Sequence, residues 1–286
     1  MWHGPRREKL ARMDKFSQFR ALHVPGKPFI LANVWDIGSA RMLAGLGAEA
    51  LATSSAAHAF VLGSRDMGAI SRDQALTHAA EIVAATDLPV QGDFENGFGD
   101  APEVVAETVR LAGEIGLAGI CVEDIRYPDG TAYPFDLAVE RMQAGAAAAR
   151  ALPRDFMFVA RADGVMNGLY TLDDAISRII AFDQAGADAL YVPRPGSMAD
   201  QARFCAATAK PVNALAAGPF TAATPADFAA ANVARISLGG SLARVTHRAI
   251  RDAATAMLRE GDFTPLGHSI SGDEVEALLA KGTPQR

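Results

Sequence analysis

Cysteine is almost absent from this sequence. The 286 residues include only Cys121 and Cys205, and neither lies in a CxxC pair or in a Cys/His cluster with the spacing of zinc ligands. This scarcity argues against a disulfide framework and against a structural zinc site. It is typical of a protein that works in a reducing cytoplasm.

The sequence also has no excess of basic residues and no long apolar run. With 27 Lys and Arg against 33 Asp and Glu, the formal net charge is -6 and the pI is near 5.5, so there is no basic field to attract nucleic acid or anionic lipid. No run reaches the ~18 to 20 apolar residues of a membrane span, and the opening MWHGPRREKLARMDKF lacks the apolar stretch of a signal peptide. We therefore expect a cytoplasmic protein with no nucleic-acid or membrane partner.

The composition is typical of a soluble globular enzyme, with 50% hydrophobic and 21% charged residues. No linker or low-complexity tract divides the chain. We predict a lead-in over residues 1–22 that ends in a short amphipathic helix, with Met13 as an alternative start, because the first dozen residues are basic and carry little pattern. A single domain should follow over 23–286, with a helical extension from about residue 262 that is a candidate for packing on a partner subunit.

Short apolar strands alternate with Ala-rich helical segments, which is the pattern of a parallel α/β fold. Eight strands, each followed by a helix, predict a (β/α)8 TIM-type barrel, in which the chemistry lies at the C-terminal ends of the strands. A doubly wound open sheet is the alternative. The predicted strands are 29–32, 48–53, 89–93, 119–123, 156–161, 187–192, 211–214 and 234–238, and the clearest helices are 39–46, 72–86, 101–115, 136–151 and 172–185.

Acidic residues are concentrated at the predicted strand ends. Asp93 and Glu95 are two residues apart in DFENGFGD, so on an extended strand both point to one face, and Glu123 ends the next strand. Asp66 follows the second strand in GSRDMG. Crowded carboxylates repel one another unless they are protonated or balanced by a cation, and magnesium, with manganese as an alternative, is the cation that carboxylate oxygens suit. For any one of these residues, capping a helix or facing solvent is the competing interpretation.

Arg161 ends the fifth predicted strand in FVARADG, where positive residues are scarce. It could clamp a carboxylate or phosphonate of a substrate through two parallel hydrogen bonds. The competing interpretation is a structural ion pair with Asp163 or a neighbouring glutamate.

Small and aromatic residues follow the first two strands. Ser54, Ser55 and Ala56 could present hydroxyl and amide groups to a substrate oxygen, although a Ser-rich turn that caps a helix is the competing interpretation. Trp35 could form a pocket wall or pack in the core. Cys121 is interpreted as a core residue, and His58, His78 and His247 are assigned surface or capping roles.

The motifs NVWDIGSA, ATSSA, GSRD, QGDFENGFG, ICVED and FVARADG occur in this order, and as an ordered set they resemble the isocitrate lyase and phosphoenolpyruvate mutase superfamily over about residues 29–245. The resemblance implies a (β/α)8 barrel whose last helix swaps between the subunits of a homodimer or homotetramer. It also implies a magnesium-dependent enzyme that acts on a small 2-oxo or dicarboxylic acid through an enolate.

Residue roles follow from the same resemblance. Asp93 would bind the metal directly, and Asp66, Glu95 and Glu123 would hold its waters. Ser54 and the amides of Ser55 and Ala56 would hold the carboxylate end of the substrate, with Trp35 as a wall, Arg161 on the opposite side, and Asn213 shaping the distal pocket. Arg161, Ser54 and Glu123 are accordingly the candidate catalytic residues.

The loop after the fourth strand departs from the best-known relatives. Isocitrate and methylisocitrate lyases carry a cysteine acid in a KxCGH-type loop, whereas this chain reads RYPDGTAYPFD over 126–136. We therefore predict a mobile lid that supplies no decisive acid, and a lyase that cleaves a carbon-carbon bond of a 2-oxo or 2-hydroxy dicarboxylate, with oxaloacetate decarboxylation as the simplest case. The alternatives are a phosphonomutase or phosphonopyruvate hydrolase, for which Arg194 is a further cationic candidate, and a non-catalytic 2-oxo acid sensor.

Overall fold

The predicted alternation of strands and helices is present in the computed structural model, which describes residues 13–285. The predicted lead-in over 1–12 lies outside the described residues. In chain order the elements are α1 (Lys15–Leu22), β1 (Phe29–Asn33), α2 (Ile37–Leu46), β2 (Ala50–Ala52), α3 (Ser55–Val61), α4 (Arg72–Ala85), β3 (Val90–Asp93), α5 (Pro102–Glu114), β4 (Gly119–Glu123), β5 (Ile125–Arg126), β6 (Thr131–Ala132), α6 (Phe135–Ala151), β7 (Met157–Arg161), α7 (Leu172–Gln184), β8 (Ala189–Tyr191), α8 (Met198–Ala206), β9 (Val212–Leu215), α9 (Pro225–Ala230), β10 (Arg235–Ser237), α10 (Ser241–Thr255) and α11 (Gly272–Gly282).

Eight of the strands close into a parallel barrel in the order β1-β10-β9-β8-β7-β4-β3-β2. All eight predicted strands are confirmed, and the open-sheet alternative is wrong because β1 pairs with both β2 and β10. The register places Glu123 of β4 opposite Arg161 of β7, and Arg161 opposite Tyr191 of β8. Three inward-facing polar side chains therefore meet at one edge of the barrel.

The apolar residues form two layers, one on each face of the barrel wall. Inward-facing residues such as Leu31, Val159 and Ala189 fill the interior, and a larger set packs the outer face of the strands against the helices. Strands buried on both faces read as nearly continuous apolar runs, which explains why they were visible in the sequence. Cys121 is buried in the interior layer, so its interpretation as a core residue is confirmed.

Helix α1 closes the N-terminal end of the barrel. Phe19 and Leu22 are buried against the interior layer, and the Asp14 side chain caps the helix by accepting hydrogen bonds from the amides of Phe16 and Ser17. The carboxyl ends of the strands stay open at the opposite end of the barrel.

A short antiparallel hairpin, β5–β6, interrupts the loop between β4 and α6. The sequence analysis predicted this stretch, 126–136, as a loop. The two paired strands are only two residues each, too short for an alternation of polar and apolar residues to reveal them.

Helix α10 is mostly uncovered, although its His247 makes an edge contact with the Phe60 ring of α3, with 5.6 Å between the ring centroids. Among its fifteen residues only Ala243 is buried, and Val245 and Ile250 are 63% and 64% exposed. On the barrel itself, the side chain of Ile30 in β1 is 51% exposed, which is unusual for a barrel strand because a helix ordinarily covers that face. Further along the chain, α11 packs closely on α2, where a Cβ on Gly45 would lie 2.3 Å from the carbonyl oxygen of Leu278. Among the described residues, no helix is long and apolar enough to cross a membrane.

Asp188 links α1, α6 and β7 at the N-terminal end of the barrel through hydrogen bonds. Its carboxylate accepts hydrogen bonds from Arg20 of α1 at 2.8 Å, from Arg150 of α6 at 2.9 Å and from the amide of Phe158 at 2.8 Å. Burial works to raise the pKa of Asp188, but these hydrogen bonds outweigh it and the net pKa is lowered.

We expect Asp188→Asn to lower the free energy of unfolding at pH 7 by about 2 kcal/mol, because a nearly buried acceptor of charged donors is lost. A carboxyl group with a lowered pKa stabilises the fold at pH values above its ordinary pKa. The difference in the free energy of unfolding between wild type and variant should therefore become smaller as the pH falls below 3.8. Urea unfolding at several pH values measures it, with the more exposed Arg20 partner Asp155, changed to Asn, as a control that should lose less. A pH-independent difference would contradict the role given to the Asp188 charge.

Candidate active site

Asp93 ends strand β3 at the mouth of the barrel, where two neighbouring groups hold it. Its Oδ2 accepts a hydrogen bond from the amide of Ser55 at 2.9 Å, and its own amide donates to Thr53 Oγ1 at 2.8 Å. Ser55 is the first residue of α3, so a helix N-terminus faces this carboxylate and favours its negative charge.

Glu95 lies beside Asp93 in a backbone conformation that few non-glycine residues adopt, with φ of 44°. Its Oε1 accepts a hydrogen bond from the amide of Gly68, 3.1 Å away, in the loop after β2. Burial, with the nearby charges of Asp93 and Asp66, raises the pKa of Glu95 to about 7. The left-handed backbone is accompanied by a buried carboxylate close to Asp93 and Asp66. Ionising Glu95 in these surroundings costs free energy.

Asp66 joins these two carboxylates from the loop after β2. Burial is the main cause that raises its pKa, and the charge of Asp93 raises it further. Hydrogen bonds from the Met67 amide and from the Ser55 side chain act in the opposite direction. The charge of Asp93 therefore acts on both Asp66 and Glu95.

Glu123 is buried at the end of β4 and is held by two donors. Arg161 Nη1 lies 2.8 Å from its Oε1, and the hydroxyl of Tyr127 donates to its Oε2. Burial is the largest cause that raises the pKa of Glu123 well above its ordinary value, and Asp163 and Asp93 add to it. Arg161 and Tyr127 oppose the rise.

Arg161 is the cation among these acids. Besides Glu123 it contacts Asp163 through Nε and lies 3.8 Å from Asp93, and its guanidinium is 5.1 Å from the centre of the Tyr191 ring. The ion pair with Asp163 and a glutamate, which was the competing interpretation, is present. The same guanidinium faces the carboxylates at the open end of the barrel. A role as a substrate clamp stays a prediction.

A buried network fixes the two strand ends that carry Glu123 and Arg161. Asp124 accepts hydrogen bonds from the amide of Asp163 at 2.8 Å, from the hydroxyl of Tyr170 at 2.8 Å and from Arg178 at 3.1 Å. Burial raises the pKa of Asp124 to about 6, although these donors oppose the rise. The sequence analysis missed this residue, although an acid directly after Glu123, on the opposite face of the strand, was the available signal.

Ser54 acts as a helix cap in this structure. It is buried, and its Oγ accepts from the amide of Ala57 at 3.3 Å at the start of α3. Ala56 follows in the first turn of the same helix, and Trp35 lies half-buried just after β1. Ser55 thus contacts Asp93, while the contacts of Ser54, Ser55 and Ala56 with a substrate stay predictions.

Asn213 lies inside the barrel and not at the mouth, because β9 continues two residues beyond it. The side chain is fully buried; its Oδ1 accepts from Arg235 Nε at 2.9 Å and its Nδ2 donates to Ser237 at 2.8 Å. Arg235 also contacts Gln91 of β3 and His23, the residue after α1. The placement of Asn213 in a distal pocket therefore needs correction: the predicted strand ended one residue early, and both polar atoms are already engaged.

The assignment of surface or capping roles to His58 and His78 is wrong. Both are buried, and their rings stack with centroids 3.8 Å apart and an interplanar angle of 4°. His78 Nε2 lies 2.8 Å from the carbonyl oxygen of Trp35. Burial, followed by the neighbouring ring of His78, lowers the pKa of His58 to about 4, so the pair packs α3 against α4 as neutral rings.

The carboxylate cluster fits a magnesium ion held mainly through water. Its donors are hard oxygens, and mutual repulsion contributes to the raised pKa values of Asp66 and Glu95, which a cation would relieve. Within residues 13–285, no three acidic, His or Cys side chains converge closely enough to chelate an ion directly. Magnesium commonly takes one or two carboxylates and keeps several waters, so Asp93 as direct ligand, with Asp66, Glu95 and Glu123 on the waters, suits this arrangement.

Comparisons with known proteins agree with this geometry. The family model for phosphoenolpyruvate phosphomutase matches residues 19–258. A crystal structure of a "putative lyase/mutase" from Burkholderia cenocepacia is 43% identical, with a TM-score of 0.89 over 96% of this chain and 97% of that one. A "putative phosphonomutase" from the same organism is 36% identical, with a TM-score of 0.79 over 84% and 98% of the two chains.

Among proteins of known activity, the oxaloacetate decarboxylase of Paraburkholderia xenovorans is 29% identical over 262 residues, which are 88% of this chain and 84% of that protein. The relatives thus include a decarboxylase as well as proteins described as mutases. With a family model matched over most of its length and a closed barrel whose acidic mouth follows the family's motifs, this chain belongs to the phosphoenolpyruvate mutase and isocitrate lyase superfamily.

Proposed function

We propose that this enzyme is a magnesium-dependent lyase that cleaves a carbon-carbon bond of a small 2-oxo or 2-hydroxy dicarboxylate, with oxaloacetate decarboxylation as its reaction. The observation that carries the proposal is that Asp66, Asp93, Glu95 and Glu123 lie around Ser55 and Arg161 at the mouth of the barrel. The similarity to an oxaloacetate decarboxylase supports the choice of substrate.

The chain's own residues bind and orient the substrate in this mechanism. Asp93 would hold the metal, and Asp66, Glu95 and Glu123 would hold its waters; the metal, when bound, withdraws charge from the 2-oxo group and stabilises the enolate left by the departing carbon dioxide. The amide of Ser55 faces Asp93, and the amides of Ser55 and Ala56 would bind the substrate's carboxylate end. Arg161 would meet the substrate from the side of β7 by exchanging part of its contact with Glu123 and Asp163.

Decarboxylation needs no acid to assist the leaving group, since carbon dioxide leaves without a proton. The loop after β4 agrees with this requirement because it contains no cysteine, and the side chains of Asp129 and Thr131 are exposed. The second candidate is carbon-phosphorus chemistry of the phosphonomutase or phosphonopyruvate hydrolase type. Arg194 favours it, because this exposed residue follows β8 near the mouth and makes no ion pair within residues 13–285, which leaves its charge available to a phosphonate.

A turnover screen separates the two candidates. With magnesium, oxaloacetate should yield pyruvate and carbon dioxide, phosphonopyruvate and phosphoenolpyruvate should not react, and EDTA should abolish turnover because the enolate loses its counter-charge. Methylisocitrate and dimethylmalate test other carbon-carbon cleavages within the proposed class. Turnover of phosphonopyruvate with no turnover of oxaloacetate would instead establish the second candidate.

Asp93→Ala should abolish both magnesium binding and turnover, because Asp93 is the proposed direct ligand. Glu95→Ala and Glu123→Ala should weaken magnesium binding less, by ~10- to 100-fold, as is typical of groups that hold the ligands of a metal. Isothermal calorimetry measures the affinities, and Asp129→Ala on the exposed hairpin serves as the control. Equal losses in all three variants would refute the ranking.

Helix α10 and the uncovered face of β1 point to a homo-oligomer. We propose that α10 of a second copy covers Ile30, because α10 leaves its own apolar face exposed while that strand lacks a covering helix. A homodimer, alone or paired into a tetramer, follows from this exchange.

Val245→Asp combined with Ile250→Asp should dissociate the oligomer, since two charges would enter the proposed interface. Sedimentation velocity measures the mass of each species. The matched control places the same two acids on the polar side of α10, as Arg248→Asp with Arg251→Asp, and should keep the wild-type mass. A monomeric wild type would refute the proposal.

A further inference from the structure

A groove runs along the side of the barrel mouth, between the loop after β2 and the loop after β3. Gly68, Glu95, Asn96 and Tyr127 are among the residues that line it, and it encloses about 1070 Å³, open solvent included. Glu95, one of the carboxylates of the site, is therefore also part of the groove wall.

Tyr127 stands between this groove and Glu123. Its hydroxyl donates to Glu123 Oε2, while its side chain lines the groove. On the groove side it packs against Gly68 so closely that a Cβ on residue 68 would lie 2.8 Å from the Tyr127 Cβ. One side chain thus touches a carboxylate of the site at one end and a neighbouring loop along its length.

The hairpin β5–β6 holds Tyr127 in this place. Arg126, the preceding residue, forms an ion pair with Asp100 at 3.1 Å and lies with its guanidinium 5.3 Å from the centre of the Tyr133 ring. The hydroxyl of Tyr133 in turn donates to Asp100 Oδ1 at 2.6 Å. The hairpin is therefore anchored to the loop after β3 on one side of Tyr127, and Gly68 packs on the other.

We propose that Tyr127 is a specificity residue that restricts this enzyme to short, unbranched 2-oxo dicarboxylates by separating Glu123, and the substrate beside it, from the lateral groove. The inference rests on the proposed function, since it names the size of substrate that the same site accepts. A substituent on the carbon next to the 2-oxo group would meet the Tyr127 ring, which lies between Glu123 and the groove. Removing the ring would open the Glu123 side of the site to the groove.

The test compares oxaloacetate with its 3-methyl, 3-ethyl and 3-propyl derivatives, which undergo the same bond cleavage. Wild-type kcat/KM should fall steeply along the series, because a single methylene without room changes kcat/KM by about 10-fold or more. In Tyr127→Ala the ratio of kcat/KM for the 3-propyl compound to that for oxaloacetate should rise by about 10- to 100-fold over wild type. Tyr127→Leu should give an intermediate ratio, and it carries the test if the alanine variant does not fold.

Tyr127→Phe is the matched control, because it keeps the ring and removes the hydroxyl. It should retain the wild-type length preference, whatever its absolute rate. Asp129→Ala, two residues further along the same hairpin, should also retain it. If Tyr127→Phe accepts the longer substrates as Tyr127→Ala does, or if Tyr127→Ala keeps the wild-type preference, the ring is not the barrier and the proposal is wrong.

A binding measurement separates this proposal from the proposed function. Oxamate and N-butyloxamate resemble the 2-oxo acid product and cannot be cleaved, so calorimetry with magnesium reads the size limit without turnover. Wild type should bind oxamate more tightly than N-butyloxamate, and Tyr127→Ala should reduce or reverse that difference. This result in an enzyme that does not decarboxylate oxaloacetate would support the size barrier and overturn the reaction, whereas failure of wild type to bind either compound would overturn both.

Discussion

Burial of several carboxylates at the mouth of the barrel, together with their mutual repulsion, is the constraint on which the rest of the site depends. Asp66, Glu95 and Glu123 all have raised pKa values, with burial as the main cause and neighbouring acids adding to it. Such a cluster is tolerated only where donors or a cation balance it. The amides of Ser55 and Gly68 provide part of that balance, and Arg161 provides a full positive charge.

Charged residues at the N-terminal end of the barrel stabilise the fold, whereas those at the C-terminal end form the candidate active site. At the N-terminal end, Asp188 has strong donors and a lowered pKa, so its charge contributes to folding. At the C-terminal end Asp66, Glu95 and Glu123 have raised pKa values, so their charges cost folding free energy that the packing of the strands against the helices must offset. Asp124 contributes to both stability and the site. Its buried hydrogen bonds keep the ends of β4 and β7 in register, while Glu123 and Arg161 at these ends face the mouth.

Membership of the superfamily leaves the reaction open, because one barrel and one acidic mouth can support several kinds of bond cleavage. The loop after β4 narrows the choice. It lacks a cysteine and instead carries a hairpin that brings the hydroxyl of Tyr127 onto Glu123. The same hairpin borders a groove that the barrel itself does not create, so this loop bears on both the reaction and the size of the substrate.

The sequence alone was sufficient for the eight strands and for the acids that follow them. Barrel strands are buried on both faces and appear as short apolar runs, and Gly47, Gly116 and Gly186, all with positive φ, mark the ends of helices. Because parallel strands end at one rim, Asp93, Glu95 and Glu123 could be placed together without coordinates. These features depend on local pattern and on one rule of topology.

Only the tertiary structure decided the features that depend on contacts between distant segments. The stacking of His58 on His78, the burial of Asn213 against Arg235, and the contact of Tyr127 with Gly68 each join residues from different elements. The projection of α10 from the barrel is likewise invisible in its amphipathic pattern, because that pattern fits packing on its own barrel as well as on a second copy. The periodicity of the sequence shows which face of a helix or strand is apolar, and the tertiary structure determines which residues pack against that face.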